Sequence, residues 1–256
     1  MEKSNPVIFI SGATAGIGEA TAKLFASKGY DLIITGRRTE RLESLQSELT
    51  KSFGIAVFSL CFDVRNQQEV IDNISKLPKS WTDRLQIVLN NAGLAVGRNP
   101  IDEGLSDDWD RMIDTNLKGL LYVSKALIPF LKANKSGHII NLGSIAGKEI
   151  YPDGNVYCAT KHAVDALSRA MRIDLVSYQI KVTNIAPGAV ETEFSLVRFK
   201  GNQAQADAAY VGYLALVAQD IAETIYFVAS RPAHVNINDI VIMPTAQASA
   251  TIIFKN

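Results

Sequence analysis

Cysteine is scarce in this chain: Cys61 and Cys158 are the only two among 256 residues. They lie far apart and form no CxxC pair, which excludes a disulfide scaffold and makes a reducing cytoplasm the expected location. Histidine is nearly as rare. His138, His162 and His234 show no metal-ligand spacing, so no metal site is expected. Excess charge is absent too: 26 Lys and Arg balance 26 Asp and Glu, for a formal net charge of zero. That removes the basic field that would draw nucleic acid or an anionic membrane, and both are excluded as partners. The longest early apolar run, Val7 to Ile10, is too short for a signal-peptide core or a membrane span. Flexible linkers, charge blocks and internal repeats are also missing, so residues 1–256 are expected to form one domain. With 47% hydrophobic and 20% charged residues, a chain of this length buries roughly 70–75% of its unfolded surface and folds without staples.

What is present is an alternation of short apolar runs and longer amphipathic segments. Strands are expected at Val7–Ser11, Asp31–Thr35, Ala56–Leu60, Ile87–Asn90, His138–Leu142, Lys181–Ala186 and Asp239–Met243. Most are continuous runs of β-branched residues, the pattern of strands covered by helices on both faces. Between them, sets such as Leu42, Leu45, Leu49 and Phe53 recur every three or four residues. The fold class is therefore α/β: a single-domain Rossmann-type, doubly wound sheet of about seven parallel strands, joined by right-handed crossovers. The least regular stretch, about 188–213, follows the sixth strand and is a candidate substrate lid.

The first strand runs into Gly12-Ala13-Thr14-Ala15-Gly16-Ile17-Gly18 and then a helical segment. Glycines allow a tight turn and close approach of backbone to a pyrophosphate, which the helix start can bind. The second strand selects the nucleotide. An NAD site places an acid about 20 residues past the glycines, but here the strand ends Thr35-Gly36-Arg37-Arg38, and Asp31 is at its wrong end. Two guanidiniums suit a 2′-phosphate, so NADP is the expected cofactor. A plainer role is also open to them, pairing with Glu40, Glu43 or solvent.

Ser144 follows the fifth strand, and Tyr157 and Lys161 sit four apart on a helical pattern, hence on one helix face. Together with Asp63-Val64, Asn90-Asn91-Ala92-Gly93, Asn116 and Pro187-Gly188-Ala189-Val190-Glu191-Thr192, these motifs resemble the short-chain dehydrogenase/reductases over essentially the whole chain. Ser11 stands where that family usually has Thr. The resemblance implies Tyr157 as general acid/base, Lys161 lowering its pKa and holding the nicotinamide ribose, Ser144 on the substrate oxygen, and Asn116 behind Lys161 in a water-linked relay. Tyrosine titrates near 10, so a base useful near pH 7 needs a shift of about 3 units, which a neighbouring ammonium and the positive nicotinamide ring would supply together. Asp63 and Val64 would flank the adenine; Asn90, Ala92 and Gly93 would line the cofactor cleft and brace the sheet; and Pro187, Gly188, Val190 and Thr192 would approach the nicotinamide.

A subgroup is closer still. Gly143-Ser144-Ile145-Ala146-Gly147, Val190 to Arg198, Lys200-Gly201 and Pro232 to Asn238 resemble NADP-dependent 3-hydroxy acid dehydrogenases. Those act on serine, allo-threonine and related acids, and similar relatives reduce sulfoacetaldehyde. The implied substrate is a small anionic hydroxy acid or aldehyde acid. Its charge would meet Arg198 or Lys200, unless these are solvated or subunit-contact charges. A reductase of 3-oxoacyl or other carbonyl compounds and a non-catalytic NADP-binding regulator remain as alternatives. Relatives of this kind are commonly homotetramers, and Leu117, Leu120, Leu121, Val123, Ala126, Leu127 and Leu131 cover more than one helix face. The apolar tail, Ala248 to Phe254, reads as buried against a neighbour or the sheet. Cys61 and Cys158 read as packed thiols, and Trp81 and Trp109 as helix-packing residues.

Overall fold

Seven apolar runs build one sheet; the central ones are buried on both faces, while Asp239–Ile242 at one edge stays partly exposed. A computed structural model describes residues 4–256, so Met1 to Lys3 of the expected domain lie outside the described residues. The strands are β1 (Val7–Ile10), β2 (Asp31–Gly36), β3 (Val57–Cys61), β4 (Leu85–Asn90), β5 (Gly137–Leu142), β6 (Ile180–Pro187) and, after a two-residue pair β7 (Val190–Glu191) and β8 (Leu216–Val217), β9 (Asp239–Ile242). The large sheet has the order β3-β2-β1-β4-β5-β6-β9 and every pairing is parallel. Strand order reverses at β1, so the crevice beyond the ends of β1 and β4 is where such sheets take ligands.

The helices are α1 (Gly16–Ser27), α2 (Thr39–Phe53), α3 (Gln67–Ile74), α4 (Lys79–Thr82), α5 (Ser106–Ile113), α6 (Leu120–Asn134), α7 (Asn155–Leu175), α8 (Glu193–Arg198), α9 (Gln203–Ala208) and α10 (Ala218–Ala229). Alternate strand residues feed two cores. Phe9, Ile33 and Ile139 pack on one face with Val123, Leu127 and Val164, while Ile8, Ile34 and Ile140 pack on the other with Phe25, Leu42 and Ile225. No helix among the described residues is long and apolar enough to cross a membrane.

Several details depart from expectation. A π-helical turn, Asp114–Gly119, joins α5 to α6 and carries Asn116. Such turns insert one extra residue and redirect side chains and carbonyls locally. Cys61 is exposed rather than core, because it ends β3 beyond the covered part of the sheet, where Thr39 donates to its sulfur. The tail is not buried on the sheet. It folds back on itself through Ala248 N to Ile252 O and Phe254 N to Ala246 O, leaving Ile252 and Phe254 exposed, and Asn256 N reaches Gly212 O. Trp81 packs edge-on against Phe58.

Candidate active site

Three loops at the strand ends meet in a cleft of about 1100 Å³. The first follows β1. Gly12 and Gly16 have φ of 67° and 55°, which β-carbon-bearing residues rarely adopt. A β-carbon at Gly16 would also press on Thr192, 3.3 Å away. Ala15 precedes α1 without a side-chain cap, which leaves the first helical N–H groups free for an anion. Thr14, Ala15, Gly16 and Ile17 line the cleft. Gly18 instead lies behind it, against Gly12 O. Ser11 ties this loop to the one after β4: its hydroxyl accepts from Asn91 N and Ala92 N at 3.0 Å each.

Asn90 takes the bracing half of its expected role. Its side chain points under the sheet and donates to Ser124 Oγ at 2.9 Å and Asn141 Oδ1 at 2.8 Å, away from the cleft. Its neighbour Asn91 faces the cleft and donates to Ser11 O and Gly12 O, both at 2.9 Å. The strand alternation that sends Asn90 inward sends Asn91 outward. Ala92 and Gly93 line the cleft, as do Asp63 and Val64. Asp63 holds Arg65 at 2.7 Å and has Arg37 at 3.8 Å.

The two arginines differ. Arg37 has a side chain 58% exposed and is free to turn toward a ligand. Arg38 is held: Nη2 donates to Thr14 Oγ1 at 3.0 Å, and Nη1 meets Glu193 Oε2 at 3.2 Å. Arg41, which the sequence reading passed over, meets the other oxygen of Glu193 at 2.8 Å. The free helix start and the three guanidiniums at the end of β2 fit a phosphorylated dinucleotide.

At the far end, Ser144 caps a short 3-10 turn, accepting from Ala146 N at 3.1 Å. A β-carbon at Gly143 would overlap Asn184 Oδ1, so only glycine brings Ser144 to this point. Tyr157 and Lys161 stand one turn apart on α7 and are 8% and 6% exposed. Lys161 Nζ donates to Leu142 O at 2.7 Å. Asn116 is buried behind them. Its amide accepts from Leu94 N and donates to Leu94 O, both at 2.8 Å, and to Thr160 Oγ1 at 3.1 Å. Both amide hydrogens are thereby used, so Asn116 can only accept further bonds. Gly93 separates Asn116 from Lys161: a β-carbon there would lie 3.3 Å from Asn116 Oδ1 and 3.6 Å from Lys161 Nζ.

The lowering of Tyr157 is expected from Lys161 and the nicotinamide ring together, and the protein's own groups act against it. Burial pushes the phenol up, with Tyr151 adding to the shift, while Ser144 and Arg198 pull it back down. Burial pushes Lys161 down to about 8. The protein's own groups therefore keep Tyr157 protonated at neutral pH, because removing water costs the phenolate more than Arg198 and Ser144 return.

Helix α8 roofs this end. Phe194 lies 5.7 Å from the Tyr157 ring, and Arg198 donates to Tyr151 Oη at 2.9 Å with its guanidinium 5.8 Å from the Tyr157 ring. Arg198 Nε is buried and has no partner. Lys200 is turned away and paired with the buried Asp108 at 2.7 Å. Pro187, Gly188, Val190 and Thr192 line the cleft beside Gln247 of the tail. Gln247 accepts from Ala189 N at 2.8 Å and was invisible to motif reading, since the tail's path is set by contacts far along the chain. Tyr151 was likewise missed, because nothing in its spacing from Tyr157 marks it.

The comparisons agree with this geometry. A family model described as short chain dehydrogenase matches residues 6–202. The NADP-dependent 3-hydroxy acid dehydrogenase YdfG of Escherichia coli (strain K12) is 43% identical over 245 residues, spanning 95% of this chain and 97% of that protein. A sulfoacetaldehyde reductase of Chromohalobacter salexigens is 45% identical over 242 residues, 94% of each. Among solved structures, the closed form of serine dehydrogenase complexed with NADP+ superposes with a TM-score of 0.91 at 41% identity, covering 98% of this chain and 99% of that one.

Proposed function

The chain belongs to the short-chain dehydrogenase family, and from that premise we propose that it is an NADP-dependent oxidoreductase interconverting a small 3-hydroxy acid and its carbonyl form. When bound, the nicotinamide supplies or accepts the hydride, and its oxidised ring carries a positive charge. The glycine loop and the start of α1 hold the pyrophosphate, Arg37 and Arg38 the 2′-phosphate, and Asp63 and Val64 flank the adenine. Tyr157 Oη trades a proton with the substrate oxygen, and the Ser144 hydroxyl holds that oxygen. Burial leaves the Tyr157 phenol protonated, so it is the donor in the reduction direction, and a cation beside it is what the oxidation direction needs to form the phenolate. Lys161 holds the ribose and keeps a positive charge beside the phenol, and Asn116 accepts from the water chain that recharges it.

The observation that carries the substrate class is Arg198. It is the cleft cation with a buried, unpartnered nitrogen, it sits over Tyr157, and it suits a carboxylate. Segment 188–213 acts as the lid that brings it there. A sulfonate presents the same charge, and the 45% identical sulfoacetaldehyde reductase favours that second reading. The assay is NADP+ reduction with serine, allo-threonine, 3-hydroxypropionate and isethionate. Turnover of the carboxylates supports the first reading, isethionate alone the second, and activity only on uncharged alcohols overturns both.

The reading includes a homotetramer in the cytoplasm. Leu121 on α6 and Ile173 and Val176 at the end of α7 are exposed apolar residues that a second copy would cover. Light scattering of the purified chain tests this, and a monomer at micromolar concentration overturns it.

A further inference from the structure

We propose that Glu193 is a specificity-determining residue: carried on α8, its carboxylate holds Arg38 and Arg41 and competes for them with the 2′-phosphate of the cofactor. The inference rests on the NADP reading above. Its basis is a contact between segments more than 150 residues apart, with Arg38 Nη1 at 3.2 Å from Oε2 and Arg41 Nη1 at 2.8 Å from Oε1. A carboxylate gripped by two guanidiniums copies the charge and fork geometry of a bound phosphate oxyanion.

The rest of Arg38 is turned to the glycine loop. Its Nε and Nη2 are bound to Thr14 of the glycine loop at 3.3 and 3.0 Å, so Nη1 is the end that Glu193 occupies. A phosphate that takes Nη1 must displace the carboxylate or share the guanidinium with it. The position is also right: Thr192, which caps α8, lies against Gly16 of the phosphate loop. The Arg41 hydrogen bond holds the Glu193 carboxyl below its usual range, so it is charged at neutral pH. A cofactor without the 2′-phosphate meets no such competition. Glu193 therefore weakens NADPH specifically and shortens its stay, which helps an enzyme that must release its cofactor each turnover.

The test is calorimetric titration of the full chain with NADPH, NADH and 2′,5′-ADP. Glu193→Gln keeps the size and removes the charge, and should tighten NADPH and 2′,5′-ADP by about 5–10-fold while leaving NADH within about twofold. The unchanged NADH constant shows that the variant is folded. In an Arg38→Ala/Arg41→Ala background, Glu193→Gln should change nothing, because the groups competed for are gone. An NADPH constant that is unchanged or weaker in Glu193→Gln, or an equal gain for NADH, overturns the inference. If the wild-type chain binds NADH as tightly as NADPH, the cofactor reading itself fails; if it prefers NADPH and the variant does not respond, only the role of Glu193 fails.

Discussion

Removing Arg198 should separate charged from uncharged substrates. In Arg198→Ala the anion of a 3-hydroxy acid loses a charge-assisted hydrogen bond, worth about 1.5–3 kcal/mol. That corresponds to a KM raised roughly 10–150-fold. The structure says the lost interaction is available, since Nε is buried and unpartnered while only Nη2 is engaged, with Tyr151. A second effect follows from the guanidinium 5.8 Å from the Tyr157 ring, which pulls that phenol down. Without it the phenolate is harder to form, and the rise of kcat with pH in the oxidation direction should move to higher pH. The assay is initial-rate NADP+ reduction with 3-hydroxypropionate and with 1,3-propanediol, which differs in the missing carboxylate. The acid should lose affinity and the diol should not. Arg198→Lys keeps the charge without the fork and should recover part of the loss. Equal KM values for the acid before and after truncation, or equal losses for acid and diol, would refute the reasoning.

Three further outcomes follow from the same geometry. Tyr157→Phe removes the only proton carrier over Ser144 and should abolish turnover while NADPH still binds, which fluorescence titration reads; near-normal turnover ends the mechanism. Arg37→Asp places an acid where the guanidinium faces the cleft and should invert the NADPH/NADH ratio of kcat/KM; an unchanged ratio removes Arg37 from the phosphate site. His138 makes stability pH-dependent. Thr183 donates to Ile237 O at 2.6 Å, so it accepts from His138 Nε2 at 2.7 Å, and Nδ1 is left buried without a partner. Burial pushes its pKa down to about 3 from 6.5. A depressed histidine contributes stability that is whole above pH 6.5 and declines as pH falls toward the folded value, by about 2 kcal/mol at pH 5. Urea melts at pH 7.5 and 5 should show wild type losing that much more than His138→Asn, and parallel losses would contradict it.

How far the sequence carried depends on what set each feature. The seven strands were legible to within two residues at either end because apolar runs mark them, unbroken where both faces are buried, as in Ile8 to Ile10 or Ile139 and Ile140. The glycine loop, Ser144, Tyr157 and Lys161 were legible because close backbone approach and a shared helix face need particular residues at particular spacings. For Asn90 the motif left cleft and sheet both open, because one residue's alternation decides between them. The π-helical turn at Asn116, the pairing of β7 with β8 and the route of the tail left no signal, since each is fixed by partners distant in sequence. The burial of Tyr157 left no signal for a related reason. Motif reading counts the cation at Lys161 but not the burial around the phenol, and burial is the larger effect.

The zero net charge explains how the cleft can be selective. A neutral chain has an acid for every base, and around this cleft most cations have taken theirs: Arg65 holds Asp63, Arg38 and Arg41 share Glu193, and Lys200 holds Asp108. Lys161 is fixed by the carbonyl of Leu142. Among the described residues, Arg198 Nε is the one buried nitrogen of a lysine or arginine left without a partner. An uncompensated guanidinium N–H out of water costs more than one in solvent, and an incoming anion would recover that cost, which is what the proposed substrate site asks of Arg198. The paired arginines at the other end are held differently, by a carboxylate that a doubly charged phosphate can outcompete. The two ends therefore discriminate by different means. On the proposed reading the substrate end offers Arg198 to one negative charge, and the cofactor end exchanges a carboxylate for a phosphate.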